Sequence, residues 1–323
     1  MILITSVDQW LGYSIASHLM HHPTLRNKLR LTYQDKSNCH SFERNGAEMV
    51  HMDYSNENSL AQAMRGVQHV VLVIGFETDR VEMCKKMIQR AHKSGVKSII
   101  MVSHMGAMSS THHSLKEFSE IEEELADWIN QNFHLWSNYI EKHRKLPMTI
   151  SDDTHLCPID LEDLCHIVQN VLLTDEGHVR GELDDQHIGQ IYTLTGPKRV
   201  SGKELLQLLA DTTGYQKLTY HRTRRMDLSF YLQELGKDIW FDARVKREKA
   251  QIFNDDFVNY GYKSKVFSAP NGTQVQTYLD YFDYIQANQG SMHTPHAELL
   301  AKRPCKTLDQ FFKEHANTFK PRV

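Results

Sequence analysis

The opening segment Met1-Ile-Leu-Ile-Thr-Ser-Val-Asp-Gln-Trp-Leu-Gly-Tyr13 constrains the fold of this chain more than any other. A short apolar run, Ile2-Leu-Ile4, meets a turn, after which Leu11, Ile15 and Leu19 recur every four residues. Strand, turn and amphipathic helix in that order open a βαβ unit of the dinucleotide-binding kind. Such a turn carries glycines so that backbone can approach a pyrophosphate. Aligned on T-G-x-x-G-x-x-G, this one has Thr5, Ser6, Gln9 and Gly12, with Trp10 and Leu11 opening the helix. A glycine in the second position permits φ > 0, which Ser6 resists. A glycine in the fifth leaves space for phosphate, where Gln9 places a side chain that either swings out or donates a hydrogen bond itself. Gly12, the glycine that lets helix and strand pack, is kept. The turn therefore predicts a retained fold with weakened phosphate binding.

The alternation continues along the chain. Leu29–Tyr33, Glu48–Met52, Val70–Ile74 and Val96–Val102 read as further strands. The β-branched run Val70-Val-Leu-Val-Ile74 suits a strand buried on both faces. Between them, Phe42–Ala47 reads as a short helical link. Glu57–Arg65 and Val81–Lys93 read as helices stopped by Gly66 and Gly95. Leu115–Trp128 reads as an acidic helix. Five strands alternating with helices predict an α/β, doubly wound parallel sheet over residues 1–155. Residues 156–323 read as a smaller, mostly helical lobe. In this part of the chain Asn130–Lys145 reads as helical, Asp160 caps the helix that follows, and Gln190–Leu194 is one strand returning to the core. Capping boxes open helices at Ser201–Glu204 and Thr307–Gln310. Residues 225–288 read as mainly helical, with Tyr278, Tyr281, Phe282 and Tyr284 as core or partner-facing aromatics.

Composition narrows the function classes. A net charge of −3 disfavours a general nucleic-acid or membrane-surface binder. The basic groups Arg222, Arg224, Arg225 and Arg244–Lys249 are interspersed with acids and read as solvated faces. No apolar run approaches the ~18 residues of a membrane span. Met1 directly precedes the first strand, so no signal peptide is expected. The five cysteines (Cys39, Cys84, Cys157, Cys165, Cys305) are scattered and never C-x-x-C, and read as reduced thiols of a cytoplasmic protein. Histidine is abundant, with 20 residues. The i, i+4 pair His18/His22 has no third ligand tied to it and reads as a solvated helix end, as does His112-His113 in a loop. No metal site is expected.

Several segments in order resemble the NmrA-like group of atypical short-chain dehydrogenases. Besides the opening turn they are Gly46-Ala-Glu-Met-Val-His-Met-Asp53, Val67-Gln-His-Val-Val-Leu-Val-Ile74 and Gly95-Val-Lys-Ser-Ile-Ile-Met-Val-Ser103. Beyond these come Ile159-Asp-Leu-Glu-Asp163, Ile191-Tyr-Thr-Leu-Thr-Gly-Pro197 and Arg303-Pro-Cys-Lys-Thr-Leu-Asp-Gln-Phe-Phe312. The resemblance implies a Rossmann domain that binds NADP or NAD, NADP in the first place, with a cleft against the smaller lobe. Some such proteins reduce quinones or other small carbonyl compounds. Others are non-catalytic sensors of dinucleotide redox state that bind a protein partner such as a transcription factor. The group also carries a sixth strand, roughly Y-T-I-L-R-P, after the acidic helix. Here Trp128 runs straight into Ile129-Asn-Gln-Asn-Phe133, so that strand is expected to be missing, along with one wall of the cleft.

The cofactor-facing residues expected from this reading are Thr5, Ser6, Gln9, Trp10, Leu11 and Gly12 at the turn. Tyr33 and Gln34 follow at the end of the second strand, Asp53 and Tyr54 after the third, Ile74 and Gly75 after the fourth, and Ser103 and His104 after the fifth. An acid after the second strand would hold a ribose hydroxyl and a base a 2′-phosphate. Asp35 and Lys36 are both there, which leaves NAD against NADP open. Asp53 either contacts adenine or caps its loop. No tyrosine has a lysine four residues on, so the usual Tyr-x-x-x-Lys proton-transfer pair is absent, and no catalytic residue is assigned. Lys116 reads as an exposed surface lysine. The expectation is a redox-state sensor or regulator with weakened cofactor binding. A reductase of quinones or small carbonyls is the alternative, and a pseudo-Rossmann scaffold that binds no nucleotide the second alternative.

Overall fold

A computed structural model of the chain describes residues 1–36, 39–73, 75, 79–104, 125–126, 128–238, 241, 269–288 and 290–321. Its central sheet is built from β1 (Ile2–Ile4), β2 (Leu29–Tyr33), β3 (Glu48–His51), β4 (His69–Val73), β5 (Ser98–His104), β6 (Leu125–Ala126) and a later strand, Thr193–Leu194. Between these last two the chain forms β7 (Lys145–Met148) and β8 (His155–Leu156), so Thr193–Leu194 is β9. The order is β3-β2-β1-β4-β5-β6-β9, all parallel. This is the doubly wound order, whose reversal between β1 and β4 leaves a crevice at the carboxyl ends of the strands.

Side-chain alternation builds the two faces. Ile2, Ile4, Val71, Val73, Ile100 and Val102 enter one core cluster. Leu3, Val70, Leu72 and Met101 enter another on the opposite face. Every other residue thus points each way, and both sides are apolar because helices cover both. The first face packs under α1 (Trp10–Met20), the second under α3 (Glu57–Met64) and α4 (Arg80–Lys93), while α2 (His40–Arg44) follows β2.

The expected α/β doubly wound sheet and helical C-terminal portion are therefore present, and the sixth strand is the point of interest. Among the described residues its place between β5 and β9 is held by Leu125 and Ala126. They lie within the stretch read as the end of an acidic helix, and that reading is corrected there. The rest of that stretch, with His112, His113 and Lys116, lies outside the described residues. Trp128 is likewise not helical. It is fully buried, with Trp136, Tyr278 and Phe282 at ring distances of 5.7, 5.1 and 4.9 Å.

The helix read over 130–145 is also corrected. Asn130–Trp136 forms a 3₁₀ segment and α5 (Ser137–His143) follows, ended by Arg144 in the left-handed region at φ 56°. Lys145–Met148 is strand β7, which pairs in parallel with a later strand, Thr219–Arg222. Pro147 has no N–H for a second neighbour, as befits a two-stranded ribbon. Gln190–Leu194 contracts to the two residues of β9.

The sequence caps hold: Asp160 accepts from the Glu162 amide at the start of α6 (Leu161–Leu172), and Ser201 and Thr307 form capping boxes. A third box, Asn271–Gln274, opens Gly272–Ala287 and was not among the expectations. Tyr278, Tyr281 and Phe282 pack in the C-terminal core, as expected of core aromatics.

Two of the family-like motifs, Ile159–Asp163 and Arg303–Phe312, meet the segment after Trp128 at one place. Asp160 accepts from Gln131 Nε2 (3.0 Å) and Asn130 Nδ2 (3.3 Å), which anchors the segment after Trp128. Asp163 accepts from Arg303 (2.9 Å) and from the Lys306 amide (2.7 Å), which anchors the C-terminal segment. Burial raises the Asp160 carboxyl above the usual range. It also pushes Asp163 up to about 6, helped by the neighbouring acids and opposed by the Lys306 amide and Arg303.

Candidate dinucleotide-binding site

The turn after β1 is pinned on both sides. Thr5 is fully buried; its hydroxyl donates to the Val73 carbonyl (2.9 Å) and accepts from the Val73 amide (2.8 Å). The Val7 amide donates to the Thr32 carbonyl at 3.0 Å. Suspended between the ends of β2 and β4, the chain must reverse tightly, and Ser6 does so at φ 52°. The left-handed shape that glycine would adopt without cost is thus enforced on serine. Its own hydroxyl offsets part of the strain by donating to the Val73 carbonyl at 3.1 Å.

Gln9 is the N-cap of α1 in extended backbone, and its side chain makes no capping bond. The helix leaves its first amides without intrahelical acceptors and has no acid in its first turn. Gly12 sits where a Cβ would come within 2.6 Å of the Thr5 carbonyl oxygen, and nearer still to that of Ser6. Only glycine lets α1 lie against the turn in this way. Trp10 and Leu11 are half-buried beside it.

A residue that sequence reasoning passed over completes the turn. Asp8 Oδ2 accepts from the Gln34 amide (3.1 Å) and the Asp35 amide (3.0 Å), the first two donors beyond β2. Its signal was an acid inside a phosphate-binding turn. Lys36, the base available there, is taken up elsewhere: its Nζ lies 2.6 Å from Glu43 and 6.0 Å from the Tyr33 ring centre.

Beyond β2 and β3 a cavity of about 330 Å³ opens, lined by Gln34, His51, Asp53, Tyr54, Glu82 and Lys86 among others. It brings together three expected residues, Gln34, Asp53 and Tyr54, with an α4 face that was not expected. Asp79, Glu82, Met83 and Lys86 recur there at helical spacing, which is the signal that could have found them. Asp53 also caps its loop, accepting from the Ser55 amide (2.9 Å) and hydroxyl (2.6 Å), which hold its carboxyl below the usual range. Tyr33 lies against His51 with rings 5.8 Å apart.

At the other end of the crevice, Gly75 is buried just past β4, and Ile74 lies outside the described residues. Ser103 is buried near the end of β5, and its hydroxyl has no hydrogen-bond partner among the described residues. His104 closes that strand, pairing its backbone with Ala126. Two of the turn's features, the enforced left-handed residue and the Gly12 contact, fit a dinucleotide backbone, and the cavity fits an adenosine. Such a cofactor would supply hydride, and these residues would bind and orient it.

His18 and His22 are not a solvated helix end. Both ring Nε2 atoms share the Gln169 Oε1, at 2.7 and 2.8 Å, tying α1 to α6. Burial pushes the His18 imidazole down to about 3, against the opposing effect of its Gln169 bond.

Residues 14–164 match a family model described as NAD(P)H-binding. The chain therefore carries an NAD(P)H-binding domain in a Rossmann-like fold. Quinone oxidoreductase 2 of Escherichia coli is 22% identical over 300 residues, 88% of this chain and 99% of that protein. Its NADPH complex superposes over 98% of this chain and 99% of its own, with a TM-score of 0.69 at 18% identity. Triphenylmethane reductase of Citrobacter sp. with NADP(H) reaches the same TM-score at 15% identity, over 98% of this NAD(P)H-binding chain and 100% of its own. No helix among the described residues is long and apolar enough to cross a membrane.

Proposed function

We propose that this NAD(P)H-binding protein holds its dinucleotide weakly and reads the redox state of the pool, passing it to a protein partner such as a transcription factor. The carrying observation is the turn: Ser6 is held in a glycine conformation while Asp8 places a carboxylate among the donors of the nucleotide-binding crevice. The like charge of Asp8 weakens an anionic ligand without destroying its seat, which the turn keeps in shape. The cofactor residues in this reading are Thr5, Ser6, Gln9, Trp10, Leu11 and Gly12 for the pyrophosphate. Tyr33, Gln34, Asp53 and Tyr54 serve the adenosine, and Ile74, Gly75, Ser103 and His104 the nicotinamide side. A cytoplasmic setting accords with five cysteines that form no disulfide among the described residues.

Titration calorimetry with NADPH, NADP⁺, NADH and NAD⁺ tests the proposal. Weak binding that distinguishes reduced from oxidised forms supports it. No binding at millimolar ligand leaves a scaffold that has lost its nucleotide.

A second reading, an NAD(P)H-dependent reductase of quinones or small carbonyls, is favoured by the reductases this chain is similar to. It is also favoured by the buried Ser103 hydroxyl near the end of β5, without a hydrogen-bond partner among the described residues, a position suited to a nicotinamide or substrate oxygen. Steady turnover of a quinone panel with either reduced cofactor decides for the reductase.

A further inference from the structure

We infer that Asp8 selects a dinucleotide whose adenosine ribose carries a free 2′-hydroxyl, so that this chain takes NAD(H) in preference to NADP(H). The inference rests on the dinucleotide-binding reading above and concerns the group beyond β2, where the ribose 2′-substituent is read in a Rossmann sheet. A 2′-phosphate needs donors and positive charge at that point. The two backbone donors there, the amides of Gln34 and Asp35, already point at the Asp8 carboxylate, at 3.1 and 3.0 Å. An arriving phosphate meets an acceptor of like charge where a hydroxyl meets a hydrogen-bond acceptor it can donate to.

The surrounding charges act in the same direction. Lys36, the nearest base in sequence, is drawn to Glu43 at 2.6 Å. The adjoining cavity sets three carboxylates, Asp53, Asp79 and Glu82, against Lys86 and His51. A ribose with two free hydroxyls suits this lining better than one bearing two extra negative charges. The family resemblance puts NADP first and the similar reductases were crystallised with NADPH or NADP(H), so the inference sets this chain apart from them. The physical reason is a single acid carried in the turn of β1, well separated in sequence from the strand end it controls.

The experiment is equilibrium binding of NADH and NADPH, and of the fragments 5′-ADP and 2′,5′-ADP, to the full chain and to Asp8→Asn. Asparagine keeps an acceptor for both amides and removes the charge, so the turn is preserved; Asp8→Ser and a thermal melt of each variant guard against a folding defect. The wild type is expected to bind NADH roughly tenfold or more tighter than NADPH, with the same order for the fragments. Asp8→Asn should raise NADPH affinity by about tenfold while moving NADH less than about threefold. Glu43→Gln, which releases Lys36, should also favour NADPH. Equal or NADPH-favouring affinities in the wild type, or a ratio unmoved by Asp8→Asn, overturn this inference while leaving dinucleotide binding intact. Binding of neither dinucleotide by a chain that melts cooperatively removes the functional reading itself, and this inference with it.

Discussion

The two ends of the parallel sheet are built to different standards. From β3 to β5, strands of three to seven residues pair in continuous register, with β1 and β4 buried throughout. At the other end β6 and β9 contribute two residues each. The well-built half carries the turn, the Asp8 clasp and the cavity beyond β2 and β3. The short half lies beside Ser103, near the end of β5. On the proposed reading, the recognition end of a dinucleotide would rest on the well-built half and its reactive end on the short one.

The comparison is broken first by hydrogen exchange. Amides of β1, β4 and β5 are expected to open only with global unfolding. Those of Leu125, Ala126, Thr193 and Leu194 should open locally, at a cost lower by about 4 kcal/mol. Equal protection across the sheet would remove the contrast. Next in size is Gly12→Ala, whose Cβ meets the Thr5 and Ser6 carbonyls. A loss of about 3 kcal/mol in urea unfolding is expected, or failure to accumulate folded protein. A loss below about 1 kcal/mol would show that α1 does not depend on this contact.

Titration sharpens the same contrast, because each part of the molecule hides a different kind of group. His18, under the well-built half, is held neutral with a pKa of about 3 against 6.5 in the unfolded chain. The unfolded state therefore binds the extra proton. From pH 6.5 downward stability should fall by about 1.4 kcal/mol per pH unit on this account, until about pH 3. Asp163, at the junction with the C-terminal segment, has the opposite sign. Its pKa of about 6 against 3.8 means that the native state binds more protons. Its contribution is fullest below 3.8 and is lost as pH rises through 6. Between those values the two slopes oppose, so each is read from its own variant, His18→Gln and Asp163→Asn, as a change in the pH dependence of chemical unfolding. Variants with the parent slope would mean that neither group titrates as its burial implies.

The smallest effect concerns the turn itself. Ser6→Gly should relieve the left-handed strain and stabilise by about 0.5 kcal/mol net of the lost hydroxyl bond to Val73. With Gln9→Gly added, dinucleotide affinity should rise severalfold in calorimetry. No gain in affinity would mean that the eroded glycines are not what limits binding.

Strong periodicity made the first half legible. Ile2–Ile4 and Leu29–Tyr33 have the bounds read from sequence, and the other three central strands shift by one or two residues at their ends, because a strand apolar on both faces has one place to go. The C-terminal half was harder for a physical reason. Its strands β7 to β9 are two to four residues long and include Pro147, so they are fixed by docking and not by pattern. Leu125 and Ala126 show the same thing: two residues drawn into a sheet by the neighbours β5 and β9, against a local helical pattern. At the site, the turn residues were visible because the motif spaces them. The face of α4 and the clasp of Asp8 on the Gln34 and Asp35 amides were not, since each joins elements far apart in the chain.

By itself the sequence determined the parallel α/β frame, the helix caps and the need for glycine at position 12, all consequences of local spacing and side-chain volume. Only the tertiary structure decided that Ser6 takes the left-handed turn, that His18 is buried against Gln169, and that the Asp8 carboxylate clasps the Gln34 and Asp35 amides beyond β2. Those outcomes depend on which donors and apolar surfaces the fold brings within a few ångströms, and bonding at that range is not written in the order of residues along the chain.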